Sequence, residues 1–283
     1  MTLREIERRL RRAGLSFGHG ARNAREEAAW LLSRVKSKTR LNALVERRIS
    51  ERIPLAYLLN EAWLGKHRFY VDERAIVPRS FIAELLRERL RPWLQREPKR
   101  ALDLCTGSGC LAVLLGLTFR RVCIDASDIS AEALQVARIN VRKYRLGNRV
   151  RVVRSNLFAA LKKAAYDLIV CNPPYVTRRS MRKLPREYRH EPKIALAGGV
   201  DGLDMVKTLL NKSRKYLSPE GLLVCEIGGN RRALERAYPR IEFSWPETSD
   251  PGTVFILERG QLPRGARTGA ATRSPARRGR ARR

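Results

Sequence analysis

The chain reads Ala101-Leu102-Asp103-Leu104-Cys105-Thr106-Gly107-Ser108-Gly109-Cys110 where a short apolar run meets a glycine-rich turn. The run predicts a buried strand, and the apolar residues Leu111 to Leu117 predict a helix after the turn. Such a turn is typical of an α/β sheet that binds its ligand at the carboxyl ends of the strands. The third glycine of the dinucleotide fingerprint is absent, since Cys110 follows directly on Gly109, so a pyrophosphate is not the best match. A glycine-lined turn can equally admit the amino-acid and ribose parts of S-adenosylmethionine.

A second strand and a carboxylate follow this turn. Val122 to Ser127 predict the strand, and Asp128 lies at its end, about twenty residues past the turn, where a carboxylate can accept both ribose hydroxyls. Ser130 then predicts the cap of a helix that runs to Tyr144. Glycine turns and strand-end Asp residues occur in many α/β proteins, so these features favour a cofactor site only when they are taken together.

A further apolar run, Leu168 to Cys171, ends in Asn172-Pro173-Pro174-Tyr175. The two prolines fix φ and remove two backbone donors, so the loop presents carbonyl oxygens and the Asn172 side chain as acceptors. Acceptors that bind both hydrogens of a planar NH2 group favour its pyramidal, more nucleophilic form, and this stabilisation grows towards the transition state. The loop therefore indicates attack by an NH2 nitrogen on an electrophilic carbon. A strand-ending turn is the alternative, since Asn and Pro are common turn residues.

The strand candidates alternate with helical patterns along the second half of the chain. They lie near 101–105, 122–127, 150–154, 166–171 and 222–227. This alternation predicts a doubly wound α/β sheet. Ile241 to Trp245 and Thr253 to Leu257 are the last two strand candidates, and the turn between them contains prolines and a glycine.

The first 60 residues predict a small helical domain for substrate recognition. Thr2 with Glu5 predicts a capping box at the first helix, and Asn23 predicts the cap of the second. A third helix is expected around Leu41 to Ile49.

The remaining domain boundaries follow from composition and periodicity. Phe69, Val71 and Ile76 suggest a β-hairpin within a linker over residues 61–79. The catalytic domain is expected over 80–259, and the Arg-rich segment 260–283 is expected to be a disordered tail.

The segment from Val176 to Val200 has little periodicity and is rich in Arg, Lys, Pro and Gly. Because it follows the Asn172 loop directly, it predicts a segment that covers the substrate, with an ordinary surface loop as the alternative. Glu191 within it is a candidate acceptor for a substrate hydrogen bond, although Glu191-Pro192 would also suit a turn.

These motifs, in this order, resemble the class I S-adenosylmethionine-dependent methyltransferases. The resemblance is closer to the protein-glutamine methyltransferases, in the branch that modifies a large-subunit ribosomal protein. It extends over nearly the whole chain and is carried by Gly14–Gly20, Tyr57–Trp63, Phe69–Arg74, Val77–Ser80, Ser155–Phe158, Glu191-Pro192 and Gly198–Leu203. The release-factor branch usually has a second proline where this chain has Ser80.

The resemblance implies a Rossmann-like, seven-stranded methyltransferase sheet whose last strand is antiparallel. It implies methylation of a glutamine side-chain amide nitrogen, with S-adenosylmethionine as the methyl donor. Asn172 and the Pro173 carbonyl would accept the two amide hydrogens, and Tyr175 would pack against the amide. Pro174 and Glu191 would complete the substrate site.

The resemblance also implies the cofactor site. Asp103 and the stretch Cys105 to Gly109 would bind the methionine and ribose end, Asp128 would hold the ribose, and Asn156 with Leu157 would flank the adenine. Asn172 would also contact the cofactor. The family usually has Asp in place of Asn156, so weaker adenine selection is expected here: an Asn oxygen can still accept a hydrogen bond, but without charge.

Composition agrees with an intracellular enzyme. The five cysteines include no Cys-x-x-Cys pair, which predicts buried free thiols in a reducing compartment. His19, His67 and His190 are not at ligand spacing, so no metal site is expected. No apolar stretch approaches the ~20 residues that span a bilayer, and Glu5 and Glu7 argue against a transit peptide. A cytoplasmic location is therefore expected.

The formal net charge is +31, and subtracting the eight arginines of residues 260–283 from it leaves +23. A ribosomal protein is itself usually basic, so ribosomal RNA is the more plausible counter-charge. We therefore hypothesise action on an assembling ribonucleoprotein particle, with Arg178, Arg179, Arg182, Lys183 and the tail near phosphates. A solvated basic surface is the alternative.

Two other functions stay open at the level of sequence. Exocyclic amines of adenine or guanine present the same planar NH2 group, so a nucleic-acid methyltransferase would use a similar loop. The N-terminal resemblance and the absence of an obvious inserted target-recognition domain argue against it. A non-catalytic RNA-binding or assembly protein is the other alternative, and the intact Gly107, Gly109, Asp128 and Asn172 argue against that.

Overall fold

A mixed β-sheet with helices on both faces forms the centre of the computed structural model, which describes residues 1–163 and 165–264. The strands, numbered in chain order, are β1 (Ala62–Leu64), β2 (His67–Phe69), β3 (Arg100–Leu104), β4 (Cys123–Asp128), β5 (Val150–Arg154), β6 (Tyr166–Cys171), β7 (Leu217–Glu226) and β8 (Val254–Glu258). The helices are α1 (Leu3–Arg12), α2 (Ala24–Arg34), α3 (Lys38–Ser50), α4 (Leu55–Leu59), α5 (Ile82–Arg87), α6 (Cys110–Thr118), α7 (Ala131–Lys143), α8 (Arg178–Met181), α9 (Asp204–Ser213) and α10 (Arg231–Ala237).

The sheet has the strand order β5-β4-β3-β6-β7-β8. Strands β3 to β7 are parallel to their neighbours, and β8 runs antiparallel to β7. The strand order reverses between β3 and β6, and an open α/β sheet binds its ligand in the crevice at such a point. The predicted doubly wound sheet with an antiparallel last strand is confirmed.

The strands are apolar because helices cover both faces of the sheet. Successive residues of a strand point to opposite faces. Ala101 accordingly belongs to one apolar cluster together with Leu115 of α6, and Leu102 belongs to a second cluster together with Leu209 of α9. The central strands therefore bring their polar terminal residues to one edge of a buried sheet.

The predicted number of seven strands is wrong, because the sheet of the described residues has six. Residues 241–245 make only an isolated bridge, in which Ser244 and Ile256 exchange backbone hydrogen bonds of 3.2 and 2.8 Å. Pro246 follows two residues later and has no N–H to donate, so the ladder does not continue there.

The β-hairpin lies earlier in the linker than predicted. β1 pairs with β2 from Ala62↔Phe69 to Leu64↔His67, and neither Val71 nor Ile76 belongs to a strand. After β2 the backbone turns, since the Asp72 carboxylate accepts from Arg74 N at 3.1 Å. Val71 and Ile76 therefore do not belong to the hairpin that their alternating pattern predicted.

The predicted helix caps at the start of the chain are confirmed. The Thr2 hydroxyl accepts from Glu5 N at 3.3 Å, and the Glu5 carboxylate accepts from Thr2 N at 2.8 Å. The Asn23 side chain accepts from Glu26 N at 2.9 Å before α2. The first helices share one apolar cluster, which includes Ile6, Leu10, Leu31, Leu41 and Val45. A functional boundary at residue 60 remains a prediction.

The cysteines differ in part from expectation. Cys110, Cys171 and Cys225 are buried free thiols, whereas Cys105 is half-buried and Cys123 is exposed. Cys123 is the first residue of β4, at the end of the strand opposite the glycine turn.

The chain stays packed beyond the predicted start of the tail. The Arg214 guanidinium donates to the carbonyls of Arg259, Gly260 and Leu262 at 2.6 to 3.1 Å, and Leu262 is buried. Residues 260–264 are therefore continuous with the sheet domain. The rest of the predicted tail, 265–283, lies outside the described residues.

None of the helices formed by residues 1–163 and 165–264 is long and apolar enough to cross a membrane.

Candidate active site

A cavity of about 310 Å³ opens at the carboxyl ends of β3, β4, β5 and β6. Most of the predicted site residues line it: Cys105, Thr106, Gly107, Ser108, Asp128, Asn156, Leu157, Asn172 and Pro174. Predicted residues that do not line it are Asp103, Gly109, Pro173, Tyr175 and Glu191. The sheet topology thus brings residues from four separate strand ends to one cavity.

The glycine turn has left-handed backbone at Cys105, Gly107 and Gly109, with φ of 57°, 53° and 79°. A Cβ at Gly109 would lie 3.0 Å from both Cα and Cβ of Ala137, so glycine lets α6 begin against α7. A Cβ at Gly107 would meet no atom within 4 Å. The turn therefore leaves free space beside Gly107 on a backbone that only glycine adopts readily.

Asp103 holds the turn from below. Its side chain is 0 % exposed, and one carboxyl oxygen accepts from the Thr106 hydroxyl at 2.5 Å and from Ala112 N at 2.9 Å. Burial raises the pKa of the Asp103 carboxyl to about 7, although these hydrogen bonds act in the opposite direction. Its place beneath the turn favours an indirect role, and the predicted cofactor contact remains a prediction.

Asp128 links the turn to β4. Its carboxylate accepts from Gly107 N and from Ser130 N, each at 2.9 Å. Burial raises the pKa of Asp128, and the backbone hydrogen bonds partly offset that effect. A carboxylate has about four acceptor positions, so two remain for a diol.

Asn156 and Leu157 lie where β5 ends. Leu157 is buried with a left-handed backbone, φ 49°, and its carbonyl accepts from the Ser155 hydroxyl at 2.6 Å. Asn156 is exposed at the rim of the cavity. The pair therefore offers one apolar side chain and one amide on the same wall.

The orientation of the Asn172 amide is set by Arg79. Asn172 Nδ2 donates to the Arg79 carbonyl at 3.2 Å, and the side chain is half-buried in the cavity wall. Because the NH2 group is already engaged, the oxygen Oδ1 is the atom left to accept a hydrogen bond from a ligand.

The Tyr175 side chain supports the loop from beneath. Its hydroxyl donates to Glu226 Oε1 at 3.2 Å, and a Cβ at Gly228 would lie 2.6 Å from its ring. Burial, followed by the negative charge of Glu226, raises the pKa of Tyr175. The Tyr175 hydroxyl is therefore hydrogen-bonded to Glu226. The predicted packing of Tyr175 against the substrate amide remains a prediction.

Glu226 and Ser80 are two site residues that sequence reasoning did not assign. Glu226 ends β7 and is buried, and its Oε2 accepts from the Ser80 hydroxyl at 2.7 Å and from Phe81 N at 3.0 Å. Burial raises the pKa of Glu226. A carboxylate that ends the apolar run Leu222–Cys225 was the available signal, since strand ends carry the site in this fold.

The Glu191 carboxylate is occupied within the protein. Arg79 donates to its two oxygens at 2.6 and 2.7 Å, and Val77 N donates to Oε1 at 3.0 Å. The Glu191 side chain is 0 % exposed, and its contact with the substrate remains a prediction.

Within residues 1–163 and 165–264, no group of three or more His, Cys, Asp or Glu side chains is placed to hold a metal ion.

The groups that line the cavity fit S-adenosylmethionine. A diol would meet the two free acceptor positions of Asp128, the space beside Gly107 would admit the ligand, and Leu157 offers an apolar wall for a base. S-adenosylmethionine is the methyl donor that belongs to this class of domain.

Three kinds of similarity agree with this assignment. Residues 82–186 match the family model for the methyltransferase small domain. Among solved structures, the hMettl16 catalytic domain in complex with a 3′UTR hairpin has a TM-score of 0.53 at 16% identity, covering 77% of this chain and 78% of that one. A methyltransferase from Pyrococcus furiosus has a TM-score of 0.50 at 16% identity, covering 79% of this chain and 99% of that one. At such identities these structures establish the fold alone.

The curated relatives are much more similar. A ribosomal protein uL3 glutamine methyltransferase from Bordetella pertussis is 48% identical, over 92% of this chain and 96% of the relative. A protein of the same name from Neisseria meningitidis serogroup B is 47% identical, over 92% and 94%. The predicted resemblance is confirmed. By this extent of similarity, the chain belongs to the family of the ribosomal protein uL3 glutamine methyltransferases.

Proposed function

We propose that this protein methylates the side-chain amide nitrogen of a glutamine in the large-subunit ribosomal protein uL3. The observation that carries the proposal is the Asn172 amide, whose NH2 group is bound by the Arg79 carbonyl and whose oxygen remains for a ligand. An oxygen acceptor at this point of the cavity suits the NH2 group of a glutamine side chain. The substrate named for the relatives, uL3, supports the same assignment.

We propose that the cofactor lies along the glycine turn. Cys105 to Gly109 would bind its methionine and ribose end, Asp128 would accept the ribose hydroxyls, and Asn156 with Leu157 would flank the adenine. When bound, S-adenosylmethionine supplies an electrophilic methyl group. Asp103 would act through Thr106 and the start of α6, because its carboxyl group bonds to both.

The substrate amide would be bound by the Asn172 loop. Asn172 Oδ1 and the Pro173 carbonyl would accept its two hydrogens, and Pro174 would line the adjacent wall. Because the proton becomes acidic only as the nitrogen is alkylated, no strong base is required and the proton can leave to solvent. Tyr175 would keep the loop rigid through Glu226. Orientation and exclusion of water would supply most of the rate enhancement.

The variant Asn172→Ala tests the proposed role of the loop. Turnover should fall below detection, because the acceptor for the amide hydrogen is lost, while the affinity for S-adenosylhomocysteine stays within about twofold of the wild type. Turnover is measured with labelled cofactor and purified uL3, and cofactor affinity is measured by calorimetry. Equal losses of turnover and affinity would instead assign Asn172 to cofactor binding.

The same assay separates the competing functions. We expect mass spectrometry to find one added methyl group on a glutamine of uL3, and none on RNA or DNA supplied alone. A labelled adenine or guanine would identify a nucleic-acid methyltransferase. A folded protein that binds cofactor and labels none of these substrates would be a non-catalytic binding protein.

We further propose that ribosomal RNA contributes to binding of the substrate particle. Support comes from Arg178, Arg179, Arg182 and Lys183, which are all exposed and follow the Asn172 loop directly. Contacts to phosphates weaken steeply with salt. Methylation of an assembly particle should therefore be faster than that of free uL3 at low salt, and the advantage should shrink as salt is added. Equal rates on both substrates at every salt concentration would exclude the contribution of RNA.

We propose that residues 1–60 assist in recognising the substrate and that the protein acts in the cytoplasm. The first proposal is supported by the direct contacts of this region with the segment after the Asn172 loop, such as Ser16 N donating to Glu187 at 3.0 Å. The second follows from the proposed ribosomal substrate.

A further inference from the structure

One buried cluster joins three distant parts of the chain next to Asn172. It consists of His19 from the N-terminal region, Val77 and Arg79 from the linker, and Tyr188 and Glu191 from the segment after the Asn172 loop. We call these five residues the Glu191 cluster. The Glu191 side chain is 0 % exposed and that of Arg79 is 28 % exposed, and Arg79 also lines the cavity.

The cluster holds Arg79 in one position. Arg79 donates to both Glu191 oxygens, at 2.6 and 2.7 Å, and its guanidinium carbon lies 5.5 Å from the centre of the Tyr188 ring. Two parallel, charge-assisted hydrogen bonds fix the direction of the guanidinium plane as well as its distance. Burial alone would raise the pKa of Glu191, but the hydrogen bonds from Arg79, followed by the nearby His19 ring, lower it to about 2.

His19 completes the enclosure of Glu191. Its Nε2 lies 3.6 Å from Glu191 Oε2, and its ring centre lies 4.4 Å from that of Tyr188. Neither ring nitrogen has a hydrogen-bond partner within the described residues. His19 therefore excludes water from the carboxylate and packs the N-terminal region against the cluster.

The backbone of Arg79 in turn fixes the orientation of the Asn172 side-chain amide. The Arg79 carbonyl accepts from Asn172 Nδ2 at 3.2 Å. If the carbonyl moved away, the Asn172 amide could rotate and present its NH2 group to the cavity, where two donors would then face each other. The position of residue 79 thus controls which atom of Asn172 a ligand meets.

We infer that Arg79 and Glu191 are positioning residues for Asn172, and that the Glu191 cluster makes the geometry of the Asn172 amide depend on docking of the N-terminal region. The inference rests on the proposed role of Asn172 in binding the substrate amide. In this inference, Glu191 orients the acceptor oxygen of Asn172 and does not contact the substrate directly.

Glu191→Gln tests the inference through turnover. It keeps the size of the side chain but places an NH2 group against the Arg79 guanidinium. We expect kcat to fall by roughly 10- to 100-fold, as small misplacements in an active site do, with the KM for uL3 and the affinity for S-adenosylhomocysteine within about twofold. Glu191→Asp should recover part of kcat, because the carboxylate returns.

The matched control is Asp125→Asn, which removes another buried carboxylate with an arginine partner. Asp125 accepts from Arg151 at 2.6 Å and does not line the cavity. It should lose stability while kcat stays close to that of the wild type. An unchanged kcat in folded Glu191→Gln, or an equal loss of kcat in Asp125→Asn, would overturn the inference.

A second measurement is independent of turnover. The side-chain amide signals of Asn172, assigned by their loss in Asn172→Ala, should shift in Glu191→Gln and stay in place in Asp125→Asn. Unmoved signals in Glu191→Gln would overturn the inference even if the enzyme is active. Shifted signals in a protein that does not methylate uL3 would support the inference and contradict only the proposed substrate.

Discussion

Asn156 places an amide in the proposed adenine site, where the resemblance in sequence led us to expect a carboxylate. It is exposed at the rim of the cavity, next to the buried Leu157. A neutral amide oxygen accepts a weaker hydrogen bond than a carboxylate does, and it can do so in only one of its two flip states. We therefore expect adenine recognition to depend largely on the apolar wall.

Asn156→Asp should allow a charge-assisted hydrogen bond to the adenine at the proposed site. The affinity for S-adenosylmethionine should stay similar or rise by a few-fold, because such bonds are roughly twice as strong as neutral ones. Calorimetric titration checks this, with Asn156→Ala as the control that removes the acceptor and should weaken binding. A large loss of affinity in Asn156→Asp would show that the amide NH2 group is the atom in use.

At the scale of elements, the contact between α6 and α7 explains the glycine turn. Gly107 and Gly109 both have left-handed backbone, but of the two only Gly109 lies against another element. A Cβ added at Gly109 would lie 3.0 Å from Ala137 of α7. The two positions therefore have different reasons to be glycine: one leaves space in the cavity, and the other allows two helices to approach.

Gly109→Ala should therefore destabilise the protein more than Gly107→Ala. Each substitution carries the cost of left-handed backbone, about 1–2 kcal/mol, and the Gly109 variant adds a clash with the backbone of α7. Urea unfolding of the ligand-free protein gives the comparison. Equal losses of stability in the two variants would mean that α7 moves away without cost.

At the scale of the whole molecule, Arg48 connects the N-terminal helices to the sheet domain. Its side chain is 1 % exposed, and it donates to Glu27 at 2.6 Å, to Glu187 at 3.4 Å and to the Ser16 carbonyl at 2.9 Å. Arg52 reaches the same Glu187 oxygen at 3.4 Å. Two buried carboxylates from different parts of the chain thus share one buried cation.

Arg48→Met should cost about 3–5 kcal/mol of unfolding free energy, because it leaves the buried Glu27 carboxylate without its partner. Arg47→Met is the matched control on the same helix. Arg47 is exposed and pairs with Glu51 one turn away at 3.1 Å, so its loss should change stability little. Denaturant titration of both variants checks this, and similar midpoints would contradict the role of Arg48 as a buried connector.

The strands, the helix caps and the glycine turn could be predicted from the chain because their signals are local. The strands β3 to β6, the caps at Thr2 and Asn23 and the left-handed glycine turn each depend on periodicity or hydrogen bonds within a few residues. The prediction of a seventh strand was wrong for a local reason as well, because Pro246 stops the strand pairing that the apolar pattern suggested.

The partners of the charged residues could not be predicted, because no local pattern specifies them. Arg79 meets Glu191 across 112 positions and Ser80 meets Glu226 across 146. In sequence, Glu191 and Tyr175 are equally suited to contact a substrate or to hold a loop. In the folded chain, Glu191 is paired with Arg79, and Tyr175 is hydrogen-bonded to Glu226. The order of the strands brings these distant residues together. Local chemistry thus accounts for the strands, the helix caps and the glycine turn, whereas packing between distant segments decides which acceptors face the cavity.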